Sequence, residues 1–219
     1  HYAKAELEQV NGDELTISFK DTNLPHLWSV EGLARHLRGI LGVEKGLAKL
    51  KLEKQSYDVV VDKSVQGIRP FIATFVAKGP PLTEAFLVQL IQLQEKLSEH
   101  YGRKRQKLSI GLYPSAKIQF PITYKAVDPE SVSFIPLEGR TEQTLKEIIA
   151  THPKGIAYGL ILANAKKYPV LVDSKNQVLS LPPIINSEKT GKLSVGDKEI
   201  FFDATGTEHE AVHLVASIV

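Results

Sequence analysis

Three groups of residues have side chains and spacing suited to chemistry. His209, Glu210 and His213 spell H-E-x-x-H, which on a helix sets two imidazoles on one face for zinc, with the carboxylate as base. Thr207 with Glu210 equally fits a capping box at the start of a terminal helix. The residues after His213 hold no further ligand, so a third one would have to come from upstream. Arg103, Lys104, Arg105 and Lys107 place four cations within five positions, a pattern that serves either phosphate contact or a solvated basic loop. The third group is rich in hydroxyls, amides and carboxylates: Ser180, Asn186, Ser187, Thr190, Asp203 and Thr205, spread over strand ends and the proline-anchored loop at 181–191. Loops of this composition make turns or carry function.

Other chemistries are missing from the sequence. It has no cysteine, which removes disulfides, thiolate zinc sites and cysteine nucleophiles and fits a reducing compartment. Neither standard glycine-rich phosphate loop is present, nor a G-x-S-x-G elbow. Net charge is +2 over 219 residues, so any nucleic-acid footprint must be local. No apolar run approaches the roughly 20 residues of a membrane span and no signal peptide opens the chain, and a cytoplasmic location is expected. The chain starts at His1 without a methionine and ends at Val219 in a helical pattern, as a fragment would.

The elements that must position these groups follow from hydrophobic period. Leu15, Ile17 and Phe19 alternate as in a half-buried strand. Ser29 caps a helix whose stripe is Val30, Leu33, Ala34, Leu37, Ile40 and Leu41, with Gly42 as its stop. The charged, weakly periodic stretch 43–55 reads as a linker, which puts a domain boundary near 55. Strands are expected at 57–62, 71–78, 108–112, 131–136, 169–173, 177–181 and 199–204. Helices are expected at 83–101, stopped by Gly102, and from Thr141 to about Thr151. Strands outnumber helices without a βαβ alternation, so the class is α+β, with a mixed-sheet domain at 56–219 and a small module at 1–55.

Four separated stretches resemble one family in the same order. DTNLPHLWSVEGLARHL (21–37) is similar to the N-terminal module of phenylalanyl-tRNA synthetase β subunits. IQLQEKLSEHYGRKRQKLSIGLYP (91–114) resembles their archaeal and eukaryal branch, and LSLPPIINSEKTGKL (179–193) and FFDATGT (201–207) resemble its editing domain. The resemblance implies that Leu171, Ser180, Asp203 and Thr205 line a pocket that hydrolyses Tyr-tRNA(Phe). Asp203 would accept the tyrosine phenol, Leu171 would wall the ring, and Ser180 and Thr205 would orient water or substrate. Asn186 joins the substrate-binding set from its loop position, and Arg103, Lys104 and Arg105 would meet tRNA phosphates. The resemblance further implies tRNA(Phe) and an α subunit as partners in an (αβ)2 heterotetramer. Editing would need no cofactor, while ATP and magnesium would serve aminoacylation by the full enzyme, whose charging site lies on the α subunit. Two rival readings stay open: a non-hydrolytic module that docks tRNA or the α subunit, and a zinc metallohydrolase built on His209 and His213.

Overall fold

The computed structural model describes residues 2–21, 23–47, 49–54 and 57–219. The chain forms two compact units, His1–Lys54 and Gln55–Ser217. The expected boundary residue, Gln55, lies outside the described residues, as does Thr22 within the first family-like stretch.

The smaller unit holds an antiparallel pair, β1 (Ala5–Asn11) and β2 (Glu14–Phe19), followed by helix α1 (Val30–Ile40). Strand β1 was not anticipated, because AELEQVN carries too little alternation to announce itself. Helix α1 begins as its sequence says, with the Ser29 hydroxyl accepting from Gly32 N–H at 3.0 Å.

The larger unit is mixed α+β. In chain order it holds β3 (Val59–Val61), β4 (Phe71–Lys78), α2 (Glu84–Lys96), β5 (Leu108–Pro114), β6 (Ile122–Val127), β7 (Ser133–Phe134) and β8 (Gln143–Thr144). There follow α3 (Leu145–Thr151), α4 (Pro153–Tyr158), β9 (Tyr168–Val172), β10 (Val178–Leu181), β11 (Ile185–Asn186), β12 (Glu199–Gly206) and α5 (His209–Ile218). One sheet has the order β11-β10-β9-β6-β3 and another has β4-β12-β5. Only β3 and β6 pair in parallel in these two sheets.

Strand β9 shows how the core is divided. Val170 and Val172 join a cluster with Leu145, Ile148 and Leu181, while Leu171 joins Tyr113, Tyr124, Leu179 and Phe201. Successive side chains of a strand point to opposite faces, so β9 is buried on both.

Several expected boundaries change. The helix expected from Thr141 starts at Leu145, because a capping box between Thr144 and Glu147 nucleates it there. The helix expected at 83–101 is regular only to Lys96 and then widens into a π-turn at Leu97–Tyr101. Gly102 is not its left-handed terminator: its φ is −74°, and a Cβ there would overlap the carbonyls of Ser98 and Leu108. The left-handed backbone falls instead on Arg103, Lys104 and Arg105, with φ of 49°, 50° and 64°. Such a conformation costs roughly 1–2 kcal/mol per non-glycine residue, so surrounding contacts must hold this turn.

Candidate active site

The site is built on β12, the central strand of its sheet. Phe201, Asp203 and Thr205 share one face, and their partners on β5 are Tyr113, Gly111 and Ser109. Gly111 therefore faces Asp203, and a Cβ at 111 would overlap both Asp203 Oδ2 and the Tyr113 hydroxyl. Its bare backbone makes the space in which these groups meet.

A second device brings Ser180 to the same place. Strand β10 pairs Val178 with Val172 but Ser180 with Leu171, a register shift of one residue. Without that bulge Ser180 would stand opposite Val170, in the other core cluster; a one-residue slip turns a side chain to the opposite face. The shift directs Ser180 towards Tyr113, whose hydroxyl lies 2.8 Å from Ser180 Oγ and 2.6 Å from Asp203 Oδ2. A phenol has one proton. The carboxylate is the stronger acceptor and takes it, so the Ser180 hydroxyl donates to the phenol oxygen.

Asp203 is 2 % exposed, and burial pushes its carboxyl up from 3.8 to about 6 against the opposing effects of the Tyr113 hydrogen bond and the Arg69 charge. Burial, then the Asp203 charge, pushes the Tyr113 phenol well above its usual value. Arg69 is also buried. Its guanidinium donates to Thr205 Oγ1 at 3.3 Å, to the Thr205 carbonyl at 2.7 Å, to Ser109 Oγ at 3.3 Å and to the Gln106 carbonyl at 3.2 Å. Desolvation lowers it to about 10, which leaves it charged at neutral pH.

A cavity of about 460 Å³ opens over this floor, lined by Ser180, Asp203, Asn186, Tyr113, Ser109 and Gly111 among others, with Pro182–Ile185 as one wall. That volume suits a small organic group with a few convergent polar contacts. Asn186 donates to the Leu112 and Gly191 carbonyls, both at 3.3 Å, and so ties its loop to β5. Ser187 and Thr190 are spent on local backbone contacts to Lys189 and Val178.

Two residues implied as pocket lining lie elsewhere. Leu171 is fully buried in the core and does not line the cavity, because β9 is an interior strand with both faces covered. Thr205 is also fully buried, and its hydroxyl is engaged by Arg69 and Ser109 below the cavity floor. Arg69, Gly111 and Tyr113 were missed. An arginine at the end of a short turn, a glycine in a strand and a tyrosine before a proline carry no local signal of chemistry.

The basic cluster divides. Arg103 and Lys104 are exposed, whereas Arg105 donates to the carbonyls of Pro183 at 3.1 Å and Ile184 at 2.9 Å and stacks over the Tyr158 ring at 4.2 Å. Tyr158 in turn donates to Glu99. Arg105 is thus a brace for the cavity wall, and this anchoring holds the left-handed turn.

At α5 the capping-box reading of Thr207 and Glu210 does not hold. The N-cap residue is Glu208, with no side-chain cap bond, because its carboxylate is drawn to Lys107 at 2.7 Å. The His209 ring packs edge-on to Phe71 and beside His213. Among the described residues no group of three or more His, Cys, Asp or Glu is arranged to hold a metal ion. Among the same residues no helix is long and apolar enough to cross a membrane.

No protein-family model matches the chain. Individual proteins do. The β subunit of phenylalanine–tRNA ligase from Pyrococcus furiosus is 44% identical over 222 residues, covering 100% of this chain and 40% of that protein. The same subunit from Borrelia recurrentis is 45% identical over 224 residues, covering 99% of the chain and 40% of the relative. A crystal structure of an N-terminal fragment of the phenylalanyl-tRNA synthetase β subunit from Pyrococcus horikoshii superposes with a TM-score of 0.95 at 42% identity, covering 99% of this chain and 63% of that one. With sequence and backbone agreeing over essentially its whole length, the chain belongs to the family of phenylalanine–tRNA ligase β subunits, of whose length it spans about two fifths.

Proposed function

We propose that the larger unit hydrolyses mischarged Tyr-tRNA(Phe), as the editing portion of an enzyme that joins phenylalanine to tRNA(Phe). The observation that carries this reading is a buried carboxylate, Asp203, on the floor of a cavity, already accepting a phenol at 2.6 Å. A pocket shaped for phenylalanine rejects an analogue with an added hydroxyl only weakly, by about 10²-fold in comparable apolar sites. A second site that hydrogen-bonds the hydroxyl discriminates far better, because the wrong ligand leaves a buried polar group unsatisfied.

In this reading the tyrosyl side chain enters between the Pro182–Ile185 wall and the β5–β12 floor, with its phenol on Asp203. The ester to the terminal ribose then lies towards the mouth. Ser180 orients the substrate or a water molecule. An aminoacyl ester is already activated, so a positioned water with donors near the developing oxyanion suffices without a covalent nucleophile. Thr205 acts from below, through Arg69. Arg103 and Lys104 meet tRNA phosphates, and an α subunit completes an (αβ)2 enzyme in the cytoplasm that uses ATP and magnesium for charging.

The test is single-turnover deacylation of Tyr-tRNA(Phe) and Phe-tRNA(Phe), by the parent and by Asp203→Ala. The parent should strongly prefer the tyrosyl ester. The variant should hydrolyse it more slowly, with the ratio of the two rates moving towards one. If Asp203 were a general base, both rates would fall by a similar factor and selectivity would persist.

A further inference from the structure

We propose that Tyr113 is the specificity-positioning residue of this cavity: its phenol holds one oxygen of Asp203 in place, which leaves the other oxygen to receive the hydroxyl of the ligand side chain. The inference rests on the reading of the cavity as a tyrosyl-ester pocket and assigns a role to a residue outside the set that the family resemblance implied.

The two oxygens of Asp203 are not equivalent. Oδ2 accepts from Tyr113 at 2.6 Å, whereas among the described residues no hydrogen bond reaches Oδ1. Asp173, equally buried at 2 %, is a useful contrast. Its two oxygens accept from the backbone N–H groups of Gln119, Lys175 and Gln177 and from the Gln177 amide, as expected of a purely structural carboxylate. A buried carboxylate with an open acceptor beside a cavity is the exception to that rule and marks a place for a donor.

Tyr113 suits the positioning role because of where its ring lies. It stands two residues along β5 from Gly111, and its hydroxyl occupies space that a side chain at 111 would fill. The ring therefore folds back along the strand to meet Asp203 from the β5 side. Arg69 faces the carboxylate from the segment before β4, and its own carbonyl accepts from Tyr124 of β6 at 2.8 Å. Tyr113, Arg69 and Tyr124 are the titratable groups that bear on Asp203. Tyr113 is the one that donates a hydrogen bond to it. A carboxylate accepts several donors, so the internal phenol and the ligand phenol can share it, one on each oxygen.

Tyr113→Phe removes one hydroxyl, and with it the acceptor of the Ser180 hydroxyl, while keeping the ring, and two readouts separate positioning from packing. The first is the titration of the Asp203 side-chain carboxyl in the ligand-free protein by ¹³C NMR, which does not depend on hydrolysis. Losing a charge-assisted hydrogen bond should move its midpoint up by about one pH unit or more. The second is the ratio of Tyr-tRNA(Phe) to Phe-tRNA(Phe) deacylation, which should fall by about tenfold or more at pH 7 and recover in part at pH 8.5, where the carboxylate is charged again. An unmoved midpoint overturns the proposal. So does a moved midpoint with an unchanged rate ratio, or a faster tyrosyl rate, which would make Tyr113 a competitor for Asp203. A parent protein that deacylates neither substrate removes the editing reading itself, and the ligand-presenting role falls with it, even where the titration shows the Tyr113–Asp203 coupling.

Discussion

Replacing Asp203 with asparagine removes a buried charge while keeping a carbonyl oxygen for the Tyr113 phenol. Burial holds the native carboxyl at about 6 rather than 3.8, so between these values the folded protein keeps a proton that the unfolded chain has released. The contribution of Asp203 to stability is therefore fully present below about 4 and is lost as pH rises through about 6. The displacement corresponds to about 3 kcal/mol of destabilisation once Asp203 is fully ionised. Asp203→Asn should escape that cost. Above pH 7 it should be more stable than the parent by up to about 3 kcal/mol, or roughly 1.5 M in the urea midpoint for a slope of about 2 kcal/mol/M. Near pH 4 the two proteins should converge. Unfolding should be followed by near-ultraviolet circular dichroism of tyrosine, since six of the seven tyrosines lie beyond residue 54 and the single tryptophan, Trp28, belongs to the smaller unit. A stability gap independent of pH, or a parent more stable than the variant at pH 8, would refute the claim that Asp203 sits ionised at a cost within the core.

Gly111→Ala should destabilise the larger unit by about 1–3 kcal/mol through overpacking and abolish tyrosyl selectivity, because the new methyl group takes the space of the Asp203–Tyr113 bond; a folded variant that still discriminates would count against the site. Neutralising Arg103 and Lys104 together should lower the salt slope of tRNA binding by about two, measured by filter binding across a salt series. Arg105→Ala should instead impair deacylation with little change in that slope, and Arg105→Lys should not rescue it, since an ammonium cannot stack flat over the Tyr158 ring as the planar guanidinium does while holding the Pro183 and Ile184 carbonyls. Tyr-tRNA(Phe) hydrolysis should survive chelation and His213→Ala; loss of bound zinc together with activity would favour the metallohydrolase.

What the sequence determined by itself was local. The periods of 2 and 3.6, Ser29 as a cap and the excess of strands over helices specified most elements and the α+β class, because hydrogen bonding and burial within one element are written in neighbouring residues. The motifs around Ser180 and Asp203 marked two residues that the structure does bring to one cavity. Tertiary structure decided the rest. Leu171 looks like any pocket-wall leucine until β9 is seen to be covered on both faces. Thr205 looks like an active hydroxyl until Arg69, 136 residues away, takes it. Arg105 reads as a phosphate ligand until its guanidinium is found on carbonyls 78 and 79 positions distant. The bulge that turns Ser180 towards Tyr113 is a relation between two strands, and the value of Gly111 lies in what stands across from it. Which polar groups find partners and which oxygen is left open depend on pairings between strands far apart in the chain. No local period encodes them, because the energies that fix them arise only when distant segments exclude water together.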